Sequence, residues 1–176
     1  MLSQEKIRDL FESLNEHLSK QGETGEVGIV GGAVMCLVYD ARKSTKDVDA
    51  IFKPTSLIRK LALRVAEEVG VEDDWLNDAA KAFMVEGFQR LDVINLSHLR
   101  VWAPEPRYML AMKCLSARWD TMDKKDVIFL IQLLKLTSKK QVFEIIESYY
   151  PKNRIPSKTQ FFIEELMETK EFVKRK

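Results

Sequence analysis

The sequence predicts an α+β protein: a small mixed β-sheet core with helices, followed by an all-helical C-terminal half. Three observations carry that expectation. The short apolar and β-branched runs bounded by turn residues all fall within residues 27–102. Helical spacing governs the first twenty residues and returns from Pro104 onward. At 176 residues and 45% hydrophobic, the chain can fill one core, or one core with a small helical appendage, but not two full domains. The expected division is residues 1–103 as an α/β core and residues 104–176 as a helical region packed on it.

Each element follows in order. Ile7, Leu10, Phe11, Leu14 and Leu18 recur at helical spacing and predict an amphipathic helix ending before Gly22. After the turn-rich QGETGE, residues 27–30 are short and β-branched, a buried strand that runs straight into Gly31 and Gly32. Residues 33–39 then read as a short helix. Residues 47–52 form the second strand, closed by Lys53 and Pro54, and Thr55 or Ser56 caps a helix carrying Ile58, Leu61, Val65 and Val69 that Gly70 stops. A further helix is expected near WLNDAAKAF, residues 75–83. Residues 88–94 and 98–102 then form a hairpin across Asn95-Leu96-Ser97. In the C-terminal half, helix starts fall at Pro104 and Pro106, at Asp123, at Ser138, and at Ser157, whose Gln160 gives a capping-box signature.

Composition narrows the function. The 28 basic and 27 acidic side chains leave a net charge of +1, so no strong global field draws the chain to nucleic acid or membrane. Cys36 and Cys114 each sit in an apolar stretch and read as buried free thiols, which fits a reducing cytoplasm. The N-terminal segment has no apolar core of a signal peptide, and no stretch approaches the roughly 18 apolar residues of a membrane span. A soluble cytoplasmic protein is expected. His17 and His98 have no second ligand at metal spacing. Met109 and Met112, Trp75 and Trp119, and Phe161-Phe162 read as packing residues.

The chemistry concentrates in GGAVMCLVYDARKSTKDVDAIF, residues 31–52. In a strand, positions i and i+2 leave the same face, so Asp47 and Asp49 project together while Val48 and Ala50 point into the core. Two such carboxylates repel unless a cation neutralises both. Mg²⁺, or Mn²⁺, is the natural candidate, because it takes one or two carboxylates and completes its shell with water and phosphate oxygens. Gly31 and Gly32 allow close backbone approach at a helix N-terminus, which suits a triphosphate.

The order strand, Gly-Gly, helix, loop, strand with Asp-x-Asp resembles the nucleotidyltransferase superfamily of the DNA polymerase beta fold. The matching positions are Val30, Gly31, Gly32, Asp47, Val48 and Asp49, with residues 33–46 as a slightly long spacer that the basic loop ArgLysSerThrLys absorbs. That loop, together with AMKCLSARWDTMDKKDV, which carries Lys113, Arg118, Asp123 and Asp126, and with TrpLeuAsnAspAlaAla at 75–80, is similar to small bacterial members related to abortive-infection toxins. The likeness covers roughly residues 25–135.

The resemblance implies transfer of a nucleoside monophosphate from a nucleoside triphosphate to a hydroxyl of an unidentified acceptor, whether protein, RNA or small molecule. Asp47 and Asp49 would hold the metal, and Gly31, Gly32, Lys46 and Lys113 would meet the phosphates. A third carboxylate, which such enzymes use for the catalytic metal and the acceptor proton, is assigned to Asp92 in the strand-like RLDVI. The residues alone allow Asp92 to be a plain strand-edge group, Lys113 to be ion-paired with Asp126, and Asp123 or Asp126 to be helix-capping. Arg42, Lys43 and Lys46 suit either phosphate contact or a solvated loop. The alternative function is a catalytically inactive binding module that keeps the fold, or a toxin–antitoxin component with a partner protein. Absence of a third carboxylate beside the pair would favour that alternative.

Overall fold

A computed structural model describes residues 1–116 and 121–168. Two compact units make up the chain: Met1–Ala82 with Gln89–Pro104, and Phe83–Phe88 with Glu105–Lys176.

The first unit opens on a two-residue strand, β1 (Leu2–Ser3), and helix α1 (Gln4–Lys20). Ser3 caps α1 by accepting from the Lys6 N–H, and Ile7, Leu10, Phe11, Leu14 and Leu18 are all buried. Burying each such side chain is worth about 1.5–3 kcal/mol, so one stripe fixes the face that α1 presents. Strand β2 (Gly25–Ile29) and helix α2 (Gly31–Leu37) follow. The two glycines lie inside the first turn of α2, which begins two residues before the expected start. Next come β3 (Ser44–Thr45), β4 (Val48–Lys53) and α3 (Thr55–Val69). Pro54, with no side-chain cap bond, occupies the N-cap of α3, while Thr55 donates its hydroxyl to the Phe52 carbonyl. Gly70 ends α3 in the left-handed conformation, as its position predicts.

Residues 75–83 do not form the expected helix. They form a two-residue strand, β5 (Leu76–Asn77), and a 3₁₀ turn over Ala79–Phe83. The Trp75 indole is buried and donates to the Ala62 carbonyl, while the Trp75 carbonyl accepts from the Val48 N–H. Those two bonds pull the segment alongside β4, where an extended ladder satisfies its backbone. The hairpin forms as predicted, from β6 (Arg90–Asn95) and β7 (Leu99–Pro104), with a bulge between Asp92 and Ile94.

The five-stranded mixed sheet runs in the order β5-β4-β2-β7-β6. β2 is antiparallel to β4 and parallel to β7, β4 is parallel to β5, and β6 is antiparallel to β7. Helices α1 and α3 pack together, α1 on β7 and α3 on β4. Val27 and Ile29 of β2, with Val48, Ala50 and Phe52 of β4, are buried on the side where α1 and α3 lie. The opposite side carries Gly28, Ile51 and Trp102 in one cross-strand row. A separate ladder joins β1 to β3, Leu2 opposite Thr45 and Ser3 opposite Ser44, and ties the basic loop to the chain's beginning.

The second unit is helical. Helix α4 (Pro106–Ser116) is buried from Tyr108 through Cys114 and packs against α5 (Thr121–Leu133), α6 (Lys139–Tyr149) and α7 (Ser157–Glu168). A capping box between Ser138 and Gln141 starts α6. Phe83–Phe88 belongs to this unit because Phe88 stacks on Tyr108 at 4.2 Å and the Val85 N–H donates to the Tyr108 hydroxyl. Among the described residues no helix is long and apolar enough to cross a membrane. Arg118 and Trp119 lie outside the described residues.

Candidate functional site

Asp47 and Asp49 flank the buried Val48 at the start of β4, and both are half-buried. Asp49, between the buried Val48 and Ala50, projects on the side of the sheet away from α1 and α3, while Asp47 lies in the bend that leads into β4. The Val30 N–H donates to the Asp49 carbonyl, which locks the end of β2 to the beginning of β4. The chain then turns into α2 at Gly31, whose φ of 64° is left-handed. A β-carbon on Gly31 would stand 3.1 Å from Asp49 Oδ2, so the carboxylate lies beside the glycine where a side chain would crowd it. A β-carbon on Gly32 would fall 2.5 Å from Thr45 Oγ1 and 3.3 Å from Arg42 Nη1. The first turn of α2 is therefore ringed by Asp49 on one side and by Thr45 and Arg42 on the other. Thr45 reaches that place because β3 is paired to β1. Lys46 is exposed between Thr45 and Asp47.

Sequence reasoning placed Gly31, Gly32, Asp47 and Asp49 in one region, and the fold gathers Gly31, Gly32 and Asp49. It does not gather Asp92 with them. Asp92 lies on β6, three strands from β4. At about 4.8 Å per strand that is about 14 Å across the sheet. The Trp102 ring fills the intervening surface, packed over Gly28, where a β-carbon would come within 2.2 Å of it. The Asp92 carboxylate accepts from Arg100 Nε at 3.0 Å and Nη2 at 2.6 Å. Among the described residues, no group of three His, Cys, Asp or Glu side chains is placed to hold a metal ion.

Lys113 belongs to the helical unit. It is 7% exposed, and its ammonium stands 2.8 Å from Asp123 and 2.8 Å from Asp126, itself 2% exposed. Two carboxylates of its own unit thus answer its charge, which is the ion-pair reading of the sequence extended to a second partner.

Two residues near the aspartates escaped sequence reasoning. Thr45 sits against Gly32 as described. Asn77 stands directly opposite Asp49 in the β4–β5 register. The signal that could have found Asn77 was the buried-then-polar step Leu76-Asn77 after Trp75, which is too short to distinguish a strand from a helix.

The donor types suit a hard divalent cation: two carboxylates two residues apart in the chain, with a glycine close enough that a single added methyl would crowd Asp49. An open groove of about 710 Å³ lies at the other end of the sheet, on Thr24, Gly25, Lys53, Pro54 and the β6–β7 turn. Glu26, His98 and Arg100 line it together with Lys53, and it contains neither Asp47 nor Asp49.

No curated protein and no solved structure is significantly similar to the chain. A family model described as nucleotidyltransferase of unknown function (DUF6036) matches residues 5–167, both units included. That breadth, with Gly31-Gly32 and Asp49 brought together at one end of a mixed sheet, places the chain in this family of nucleotidyltransferases.

Proposed function

We propose that the chain binds a nucleoside triphosphate with Mg²⁺, or Mn²⁺, at Asp47, Asp49, Gly31 and Gly32, and transfers the nucleoside monophosphate to a hydroxyl of an acceptor. The observation that carries this reading is the placement of the Asp49 carboxylate beside Gly31 at the start of α2, 3.1 Å from where a β-carbon would stand. Asp47 and Asp49 would supply the oxygens that hold the cation, which when bound would supply charge neutralisation at the phosphates. The first turn of α2 would turn its N–H groups to the phosphates, and Arg42 and Lys46 would add positive charge near them. The acceptor oxygen bonds to the α-phosphorus, the bond from that phosphorus to the bridging oxygen breaks, and pyrophosphate leaves. The hydroxyl proton passes to water, since Asp92 is held across the sheet by Arg100.

The position of Asp92 favours a second reading: a module that binds the nucleotide without turning it over, alone or as one component of a toxin–antitoxin pair. One experiment separates the two. Mg²⁺ or Mn²⁺ with each of the four nucleoside triphosphates should raise the melting temperature, by about 2.7 kcal/mol of stability at a hundredfold excess over Kd. Asp47→Asn with Asp49→Asn should abolish the rise, and an equal rise in that double variant would refute the site. Triphosphate labelled at the α-phosphate and incubated with lysate then reports transfer. Label on an acceptor supports the enzyme, and binding without label supports the module.

A further inference from the structure

Asn77 is held in one orientation beside Asp49 with both of its amide N–H donors unused. In β5, Leu76 lies opposite Val48 and Asn77 opposite Asp49. Leu76 and Val48 are buried, whereas Asn77 and Asp49 are both half-buried, so the polar pair shares the side of the sheet away from α1 and α3. Neighbouring strands run about 4.8 Å apart, which places the two side chains within reach of one ligand. The Ala79 N–H donates to Asn77 Oδ1 at 3.1 Å. A donor in that position fixes the bonded atom as the oxygen, and the Nδ2 group therefore points away from the Ala79 backbone. Among the described residues nothing accepts from Nδ2. The next residue, Asp78, is taken up by Arg59 at 2.8 Å, so it offers no competing charge at the site.

An amide is chemically distinct from a third carboxylate. It adds no negative charge beside Asp47 and Asp49, and it offers two N–H donors where a phosphate has only acceptors. We infer that Asn77 is a substrate-contact residue: its Nδ2 donates to a phosphate oxygen of the metal-bound triphosphate, alongside Asp49. The inference rests on the nucleotide site proposed above. It also predicts what the position would become as an acid, since a carboxylate at 77 would join the pair as a further metal ligand.

The experiment uses the full chain and two probes, Mn²⁺ alone and Mn²⁺ with tripolyphosphate, which lacks base and sugar. Asn77→Asp keeps the acceptor for the Ala79 N–H and the side-chain shape, whereas Asn77→Ala loses both. In calorimetric titration, Asn77→Ala should weaken Mn²⁺-tripolyphosphate binding by roughly tenfold or more, the usual loss of a hydrogen bond to a charged group. Asn77→Asp should tighten binding of Mn²⁺ alone by roughly tenfold, because a third oxygen ligand is added. A purely structural role in the turn would lower the melting temperature of Asn77→Ala and leave the Mn²⁺ affinity of Asn77→Asp unchanged. Wild-type affinity for tripolyphosphate retained in Asn77→Ala overturns the contact. Unchanged Mn²⁺ affinity in Asn77→Asp overturns the placement beside Asp49, and that measurement stands even where Asn77→Ala does not fold. Failure of the wild-type chain to bind either probe overturns the nucleotide site itself, and this inference with it.

Discussion

Gly31→Ala isolates the placement on which the candidate site depends. Gly22, Gly31 and Gly70 share a left-handed backbone, with φ of 66°, 64° and 69°. A β-carbon at Gly22 or Gly70 meets nothing within 4 Å, whereas at Gly31 it stands 3.1 Å from Asp49 Oδ2. The left-handed conformation costs an alanine about 1–2 kcal/mol. Reduced freedom of the unfolded chain returns about 0.4–1 kcal/mol. Gly22→Ala and Gly70→Ala should therefore each cost about 1 kcal/mol. Gly31→Ala must in addition move the carboxylate or the start of α2 by a few tenths of an ångström, which adds about 1 kcal/mol, the lower end of overpacking costs. Urea denaturation gives the three values on one scale. In thermal scans the difference should amount to about 2–4 °C for a chain of this length. Truncation by Asp49→Ala removes the crowding oxygen and leaves only the Asp49 Cβ, at 3.8 Å. In that background Gly31→Ala should fall back to the cost of Gly22→Ala. Equal costs at Gly31 and Gly22 in the wild-type background would refute the placement of the carboxylate beside Gly31.

Two further predictions concern the helical unit. Lys113→Ala takes from Asp126, 2% exposed, the ammonium that stands 2.8 Å away and should destabilise the chain by about 3–5 kcal/mol in urea denaturation, whereas Lys113→Met with Asp126→Leu should restore most of that loss. A mild effect of Lys113→Ala would mean that the ion pair is solvated. Burial pushes the Cys114 thiol up to about 12 from an ordinary value of 9.0. The folded chain then keeps a proton that the unfolded chain releases, so stability falls as pH rises above about 9, by up to about 1.4 kcal/mol per pH unit. Between about pH 9 and 10, the denaturation midpoint of Cys114→Ala should decline less steeply than that of wild type; parallel declines would exclude the thiol as a source of the slope.

Local pattern in the sequence reached α1, α3 and the β6–β7 hairpin, because each is set by contacts within a few residues: a 3.6-residue apolar stripe, a left-handed glycine, a tight turn. The side that Asp49 takes was legible for the same reason: the alternation of a strand fixes it whatever the strand pairs with, and Val48 and Ala50 on either side of it are buried. Asp47 lies one residue before that strand, in a bend. The short segment at Trp75 carried no such period. Its two strand residues exist only because the Trp75 carbonyl accepts from the Val48 N–H, a bond between residues far apart in the chain.

Strand order lay beyond the sequence altogether. Asp92 has the residue type and local setting of a third metal ligand, yet β2 and β7 come between β6 and β4, and Trp102 fills the surface over Gly28. Nothing near Asp92 in the chain records that separation. The same long-range pairing set Asn77 opposite Asp49 and, through the β1–β3 ladder, Thr45 against Gly32. The sequence by itself determined which residues could carry charge on one side of a strand, since that depends only on backbone geometry between neighbours. Which of those charges meet was decided by the tertiary structure, because the order of strands in a sheet follows from burying apolar surface across the whole chain.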